Sequence, residues 1–418
     1  MRTRSLKVAL VVAGVAGAGA WWAARDAAAA EAARSAAAGR VAAEAARRDR
    51  DILFYERRAG EDRRSAADRA SLAALYLQRS RASGDAADAA RAESLARASL
   101  ALRATRNGQA NATLAASLVA QHRFADARDV VARLVGAEPD VSAHRALLGE
   151  VELELGEYEA ARRSFAAVTS ERGSLSVAPR LARWAELRGD TASARRILYR
   201  AMAAARSAEQ LPREQVAWFH LRVGDFELRR GRVRAAEWAL RGGLAVSPDD
   251  HRLLGALARA ALARWDYRAA IDYGDRAIAA VLDPATLGVA SDAYAALGDT
   301  ARAAEYARAL TLAGGQRPGD FHRAWALWLL DHDRRVPELL ARARADVQTR
   351  RDVYGYDLLA WALHKSGRHR EARVAMGRAL ALGTQDVTLF RHAAAVERAL
   401  GREGAARAYE RRAEALGE

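Results

Sequence analysis

Ten short turns, spaced almost evenly, constrain this chain more than any other feature. They fall at Gly84, His122, Gly156, Gly189, Gly231, Trp265, Gly298, His332, Gly367 and Gly401, in steps of 38, 34, 33, 42, 34, 33, 34, 35 and 34 residues. The clearest unit is Trp218–Pro248, which reads as two short amphipathic helices around Arg230-Gly231-Arg232. Val223, Phe226 and Leu228 form the apolar side of the first helix; Ala236, Leu240 and Leu244 form that of the second. A helix pair this short cannot bury both stripes alone, so it needs a copy of itself on each side.

Five residues after most turns stands an alanine: Ala127, Ala161, Ala194, Ala236, Ala270, Ala303, Ala372 and Ala406. A small residue there lets the second helix cross the first closely, and Gly149 and Gly224 serve the same purpose on the first helix. The departures are informative. The long step after Gly189 places about eight extra residues in Ala203–Arg213, predicting a longer second helix and a loop before Pro212. Pro337 stands where an alanine is expected and predicts a helix that begins late, near Val336. The closing segment Glu403–Leu416 has one face too polar to stack another unit and reads as a terminal cap.

With small residues at these places and a proline closing the unit, the pattern resembles the tetratricopeptide repeat (TPR) family, over about Ser65–Leu416. The resemblance implies an all-α fold: a right-handed α–α superhelical solenoid of about ten TPR-like helix–turn–helix repeats. It also implies a scaffold for protein–protein or peptide binding. The family's clamp for chaperone tails uses lysines and asparagines along the first helices. The repeats here contain a single lysine, Lys365, so that clamp is not expected.

The amino terminus speaks to location. Arg2, Arg4 and Lys7 precede the apolar run Val8–Ala24, in which Ala18-Gly19-Ala20 offers a small-residue cleavage site. Continued to Trp21 and Trp22, the run reaches the lower limit for a spanning helix, with indoles at the interface. Residues 1–25 are therefore expected to be a signal sequence or membrane anchor, and 26–50 an Ala/Arg/Glu-rich linker. The solenoid is expected over 51–418, on the periplasmic side of a bacterial inner membrane, with packing beginning at Asp51–Tyr55.

The formal charge of +15 raises one alternative, a nucleic-acid-associated basic helical repeat protein. The excess is spread along the chain and interleaved with Asp and Glu rather than gathered in a stripe, so a nucleic-acid partner is not expected. The absence of cysteine excludes disulfides and thiolate metal sites. No phosphate loop or nucleophile elbow is present. His364 and His369 lack the one-face spacing of a helical zinc pair, and Asp331-His332-Asp333 sits on a repeat turn. The repeats leave no room for an enzyme domain, so no catalytic residue, cofactor or metal is expected.

One stripe stands out. Tyr354, Asp357, Trp361 and His364 follow at spacings of 3, 4 and 3, on a different face from the apolar Leu358, Leu359, Ala362 and Leu363. Neighbouring units add His322, Arg391 and Arg398. This set is the candidate groove for an unidentified protein or peptide partner. Packing of Trp361 and Tyr354 into the core is the competing expectation.

Overall fold

A computed structural model of the chain describes residues 2–313 and 323–418; among the first 24 side chains it describes that of Trp22. The described residues form 21 helices and no strand. Helix α1 runs from Arg2 to Glu61 without interruption. Ten hairpins follow. The first five are α2 (Ala66–Ser83) with α3 (Ala86–Leu102), α4 (Gly108–Ala120) with α5 (Phe124–Ala137), α6 (Ser142–Leu155) with α7 (Tyr158–Ala166), α8 (Ala178–Leu187) with α9 (Thr191–Ser207), and α10 (Arg213–Arg229) with α11 (Val233–Leu244). The second five are α12 (His251–Ala263) with α13 (Tyr267–Ala280), α14 (Pro284–Ala296) with α15 (Thr300–Ala313), α16 (Arg323–Asp331) with α17 (Val336–Thr349), α18 (Val353–Lys365) with α19 (His369–Ala379), and α20 (Val387–Ala399) with α21 (Glu403–Gly417). The fold is an all-α, TPR-like solenoid.

The turns sit where the sequence placed them. Gly84, His122, Gly156, Gly189, Gly231, Trp265, Gly298, Gly367 and Gly401 each adopt a left-handed backbone, with φ between 56° and 82°. The eighth turn, expected at His332, shifts by one residue, to Asp333 (φ 54°), because the His332 amide still bonds the Trp328 carbonyl and carries the helical turn one step further. Helix α17 then starts at Val336, with Pro337 in its first turn, where a missing N–H leaves no bond unmade.

The alanine column is buried throughout, at 8% exposure for Ala303 and 0% for the other seven. A Cβ on Gly224 would come within 2.4 Å of the Leu240 side chain, and one on Gly149 within 2.8 Å of the Phe165 ring. These are the crossings that hold each hairpin closed. The insertion after Gly189 appears as the 17-residue α9 and the loop leading to Pro212. Helix α1 makes its first contacts ahead of Asp51–Tyr55: Arg34 pairs with Asp249 at 3.3 Å, Ala37 is fully buried, and Glu44 accepts from the Arg213 amide at 2.8 Å. Positions 25–36 are exposed on every side.

The solenoid does not stay open. The Arg351 amide donates to the Leu155 carbonyl at 3.0 Å, 196 residues away. The Val353 amide donates to the Tyr158 hydroxyl at 2.7 Å across 195 residues, and the Thr384 hydroxyl to the Leu187 carbonyl at 2.6 Å across 197. Gly84 lies against Val281, again 197 residues on. One constant offset joins separate hairpins, so it measures the superhelical turn: about 5.8 repeats of 34 residues. Successive coils therefore touch edge to edge. The turns of the first five hairpins form one side of the seam, and the loops between later hairpins form the other.

This seam explains which turns demand glycine twice. At Gly156 a Cβ would lie 2.3 Å from the Arg351 carbonyl, and at Gly189 it would lie 2.4 Å from the Gly383 carbonyl oxygen, in addition to the left-handed φ. At Gly298, Gly367 and Gly401, on the free rim of the second coil, no described residue lies within 4 Å of an added Cβ.

Candidate functional site: a charged column inside the coil

Coiling brings the first helices of distant hairpins face to face around the superhelical axis. On α10, Trp218, Arg222, Asp225 and Arg229 recur at helical spacing and form one stripe. Helix α8 contributes Arg180, Arg183 and Glu186, and α6 contributes Glu150 and Glu154. From the second coil come Arg323, Tyr354 and Asp386. Arg183 bonds Glu186 at 2.9 Å and Arg229 bonds the same carboxylate at 2.6 Å. Arg180 pairs with Glu150 at 2.7 Å, and Arg350 with Glu154 at 3.4 Å across the seam. Arg81, on α2, is exposed to solvent, yet its charged neighbours Glu214, Arg180, Arg252 and Glu150 come from four other helices. A side chain wetted by water but ringed by protein lines a lumen. A cleft of about 320 Å³ is lined by Glu150, Glu154 and Arg323 of the column together with His122, Phe124 and Arg350.

The electrostatics of this column are those of a crowded interior. Burial opposes the charge on Glu186, but Arg229, Arg183 and Arg222 overcome it and hold its pKa at about 2. Burial and the like charges of Arg229 and Arg183 lower the pKa of Arg222. Burial raises Glu154 and Asp386 above the usual carboxylate range. The Tyr354 phenol is pushed up to about 12 by burial, and its ring lies under the guanidinium groups of Arg183 (5.2 Å) and Arg323 (4.7 Å).

The stripe singled out in the sequence divides between two environments. Tyr354 faces the column and donates to Asp386 at 3.3 Å. Asp357 is fully buried: it accepts from His392 Nδ1 at 2.7 Å and from Arg323 at 2.6 Å, and these partners hold its pKa low against burial. Trp361 is half-buried in a ladder of flat rings, stacked on His392 at 4.1 Å and on His364 at 5.0 Å, with its indole N–H on Asp331 at 2.8 Å. The His364 ring lies 5.0 Å from that of His369, because the turn at Gly367 folds α19 back onto α18. Arg391 is exposed, and Arg398 pairs with Glu410 and Glu403. His322 lies outside the described residues. Tyr354 and Trp361 are thus about half-buried, and Asp357 has no face left for a partner.

The Asp331-His332-Asp333 corner spends each side chain separately: Asp331 on Trp361, His332 on Asp292 (3.1 Å) and Asp333 on Lys365 (2.8 Å). Among the described residues, no three His, Asp or Glu side chains converge as a metal site would require. The charged column itself escaped the sequence reading. Its visible signal was the i, i+3, i+7 spacing of Arg222, Asp225 and Arg229, which looks the same on an open groove as on a closed axis.

No family model matches the chain, and no curated protein matches it. Among solved structures it is similar to PilW, a widely conserved type IV pilus biogenesis factor, at 19% identity over 50% of this chain and 94% of that one, with a TM-score of 0.41. A human IFIT1 dimer with PPP-AAAA aligns at 13% identity over 84% and 90%, with a TM-score of 0.46. A tetratricopeptide repeat protein from Parabacteroides merdae aligns at 15% identity over 59% and 94%, with a TM-score of 0.33. At such scores the fold assignment rests on the chain's own turns and hairpin crossings.

Proposed function

We propose that the chain is a scaffold, exported or held at a membrane by its N-terminal segment, that grips a protein or peptide on the free turn rim of its second coil. The observation that carries this reading is the difference between the two rims. In the first coil, the turns at Gly156 and Gly189 already lie against polypeptide backbone. The equivalent edge of the second coil is uncovered, and it carries Trp265, 76% exposed in a left-handed turn. Such a conformation costs a non-glycine residue about 1 kcal/mol or more, and the exposed ring meets Tyr267 edge-on at 6.4 Å without being covered. Leu297, at the next turn, is 48% exposed. Aromatic and aliphatic side chains on an edge suit contact with another chain.

The tether reading rests on the apolar run Val8–Ala24 and on the exposed stretch 25–36 of α1, which meets the hairpins only at its end, where Arg34 pairs with Asp249. Among the described residues, no helix is long and apolar enough to cross a membrane; apart from Trp22, the side chains of the run lie outside them. Deleting Met1–Ala24 should release a soluble, helical protein, and loss of the helical signal would assign the segment to the fold instead.

Photocrosslinking in intact cells tests the rim. A photoreactive residue at position 265 or 297 should capture one protein that the same residue at Val374, exposed on α19, does not. Equal capture from all three positions sinks the reading.

A further inference from the structure

Three guanidinium groups crowd around Glu186 inside the column, and two of them bond it. Arg183 and Arg229 both bond Glu186, at 2.9 and 2.6 Å. Arg222 stands two turns before Arg229 on the same face of α10 and has Arg229, Arg183, Glu186 and Asp225 as its charged neighbours. Asp225 is already paired with Arg259 at 2.9 Å. Apart from lying over the Trp218 ring, Arg222 has no protein partner among the described residues. Its Nε is buried and unbonded, and so is Nη2 of Arg229. On the far side of Tyr354, Nε of Arg323 is unbonded as well.

Arg183, Arg222 and Arg229 face Glu186 and Asp386, and burial favours the neutral form of Asp386. Positive charge is therefore in excess in a partly desolvated interior, which is unfavourable unless something neutralises it. Bare buried donors call for a ligand or ordered water. The guanidinium fork matches the geometry of tetrahedral oxyanions.

We propose that the column binds a phosphate-type oxyanion between Arg222 and Arg229, with Arg183 at its flank. The site is independent of the outer rim, since its residues lie inside the coil. Its occupant is either the free ion or the phosphate of a small ester, and the chemistry that holds it is the same.

Inorganic phosphate, titrated into the full chain at constant ionic strength, is the direct probe. At about 100-fold excess over Kd it should raise Tm by about 3 °C, saturably, while chloride does not. Arg222→Gln should remove the response. It should also raise Tm in phosphate-free buffer, because it relieves repulsion; Arg128→Gln, a surface control, should respond as the parent does. If Arg222→Gln does not fold, line broadening of phosphorus resonances by the parent protein, competed by sulfate, reads the same site. Phenyl phosphate as a second titrant separates the sources: a response equal to that of phosphate indicates an ester, and no response indicates the bare ion. A rise that never saturates, or an Arg222→Gln response equal to the parent's, overturns the proposal.

Discussion

Thr384 donates its hydroxyl hydrogen bond to the carbonyl of Leu187, 2.6 Å away and 197 residues earlier. Leu187 is the last residue of α8, and its carbonyl is one of those a helix end leaves without an intrahelical partner. Both residues are buried, at 1% and 3% exposure. Thr384→Val should therefore strand a buried acceptor and cost about 1–3 kcal/mol. Urea unfolding checks this, and amide exchange should quicken near Gly189 and Gly383 together. An unchanged midpoint would mean that the seam adds nothing to stability.

A pair of glycine variants separates the seam from local strain. Gly367→Ala meets only the left-handed φ and should cost about 1–2 kcal/mol. Gly156→Ala meets the same φ and also drives a methyl into the Arg351 carbonyl, so it should cost more by about 1–3 kcal/mol. Equal losses in thermal melts would show that the coils do not touch in solution.

The repeat register has its own test. Ala236 is fully buried where α11 crosses α10, next to the Gly224–Leu240 contact. Ala236→Arg should lower stability by several kcal/mol, through overpacking and a buried charge. Circular dichroism melts decide it, and an unchanged midpoint contradicts the register.

Asp357 and Trp361 separate core from surface. Removing the Asp357 carboxylate leaves Arg323 and His392 facing each other without their shared partner, so Asp357→Ala should cost about 3–5 kcal/mol. Trp361→Ala removes a ring stacked on two imidazoles and should cost about 3 kcal/mol, the lower end for a buried aromatic, since the indole is only half-buried. Partner recovery measured on the same variants should fall only in proportion to stability. Loss of recovery with intact melting would instead place the stripe in a groove.

The ring ladder gives a pH dependence. Burial, with His369, Lys365 and His392 nearby, lowers the His364 pKa to about 4, below its unfolded value of 6.5. Between those values the unfolded chain binds more protons, so stability is complete above about pH 6.5 and falls as pH drops toward 4. Discounted for partial exposure, the loss is about 1–3 kcal/mol. His364→Gln should lose correspondingly less between pH 7 and pH 4.5 in urea titrations. Glu154 and Asp386, whose raised pKa values act in the opposite sense, are common to both proteins and cancel in the comparison. Parallel curves for the two proteins would refute the assignment.

What the sequence disclosed was local. Turns appeared as glycines because a left-handed backbone selects them, and the alanine column appeared because a close helix crossing excludes anything larger. Even the late start of α17 was visible, in Pro337. The eighth turn missed by one residue because His332 and Asp333 look alike where no glycine marks the reversal. The closure of the coil was not legible, since pitch accumulates from small rotations at every hairpin and no single residue encodes it. With closure hidden, the candidate site was read as a stripe on one helix. It could not be seen as a column to which α6, α8, α10 and α18 contribute together, nor could the burial of Asp357 by Arg323 be anticipated.

An open array of helical hairpins can gain or lose a member and remain the same kind of object, which is how tandem duplication lengthens such proteins. Contact between coils withdraws that freedom. Deleting one hairpin between Leu187 and Thr384 would bring the Leu187 carbonyl opposite a residue about 34 positions further on, and every other seam bond would slip with it. Among the later hairpins the count between bonded partners is therefore fixed as strictly as loop length in a disulfide ring. Growth by whole hairpins is tolerated only beyond the outermost seam contacts, Gly84 against Val281 and Gly231 against Gly417.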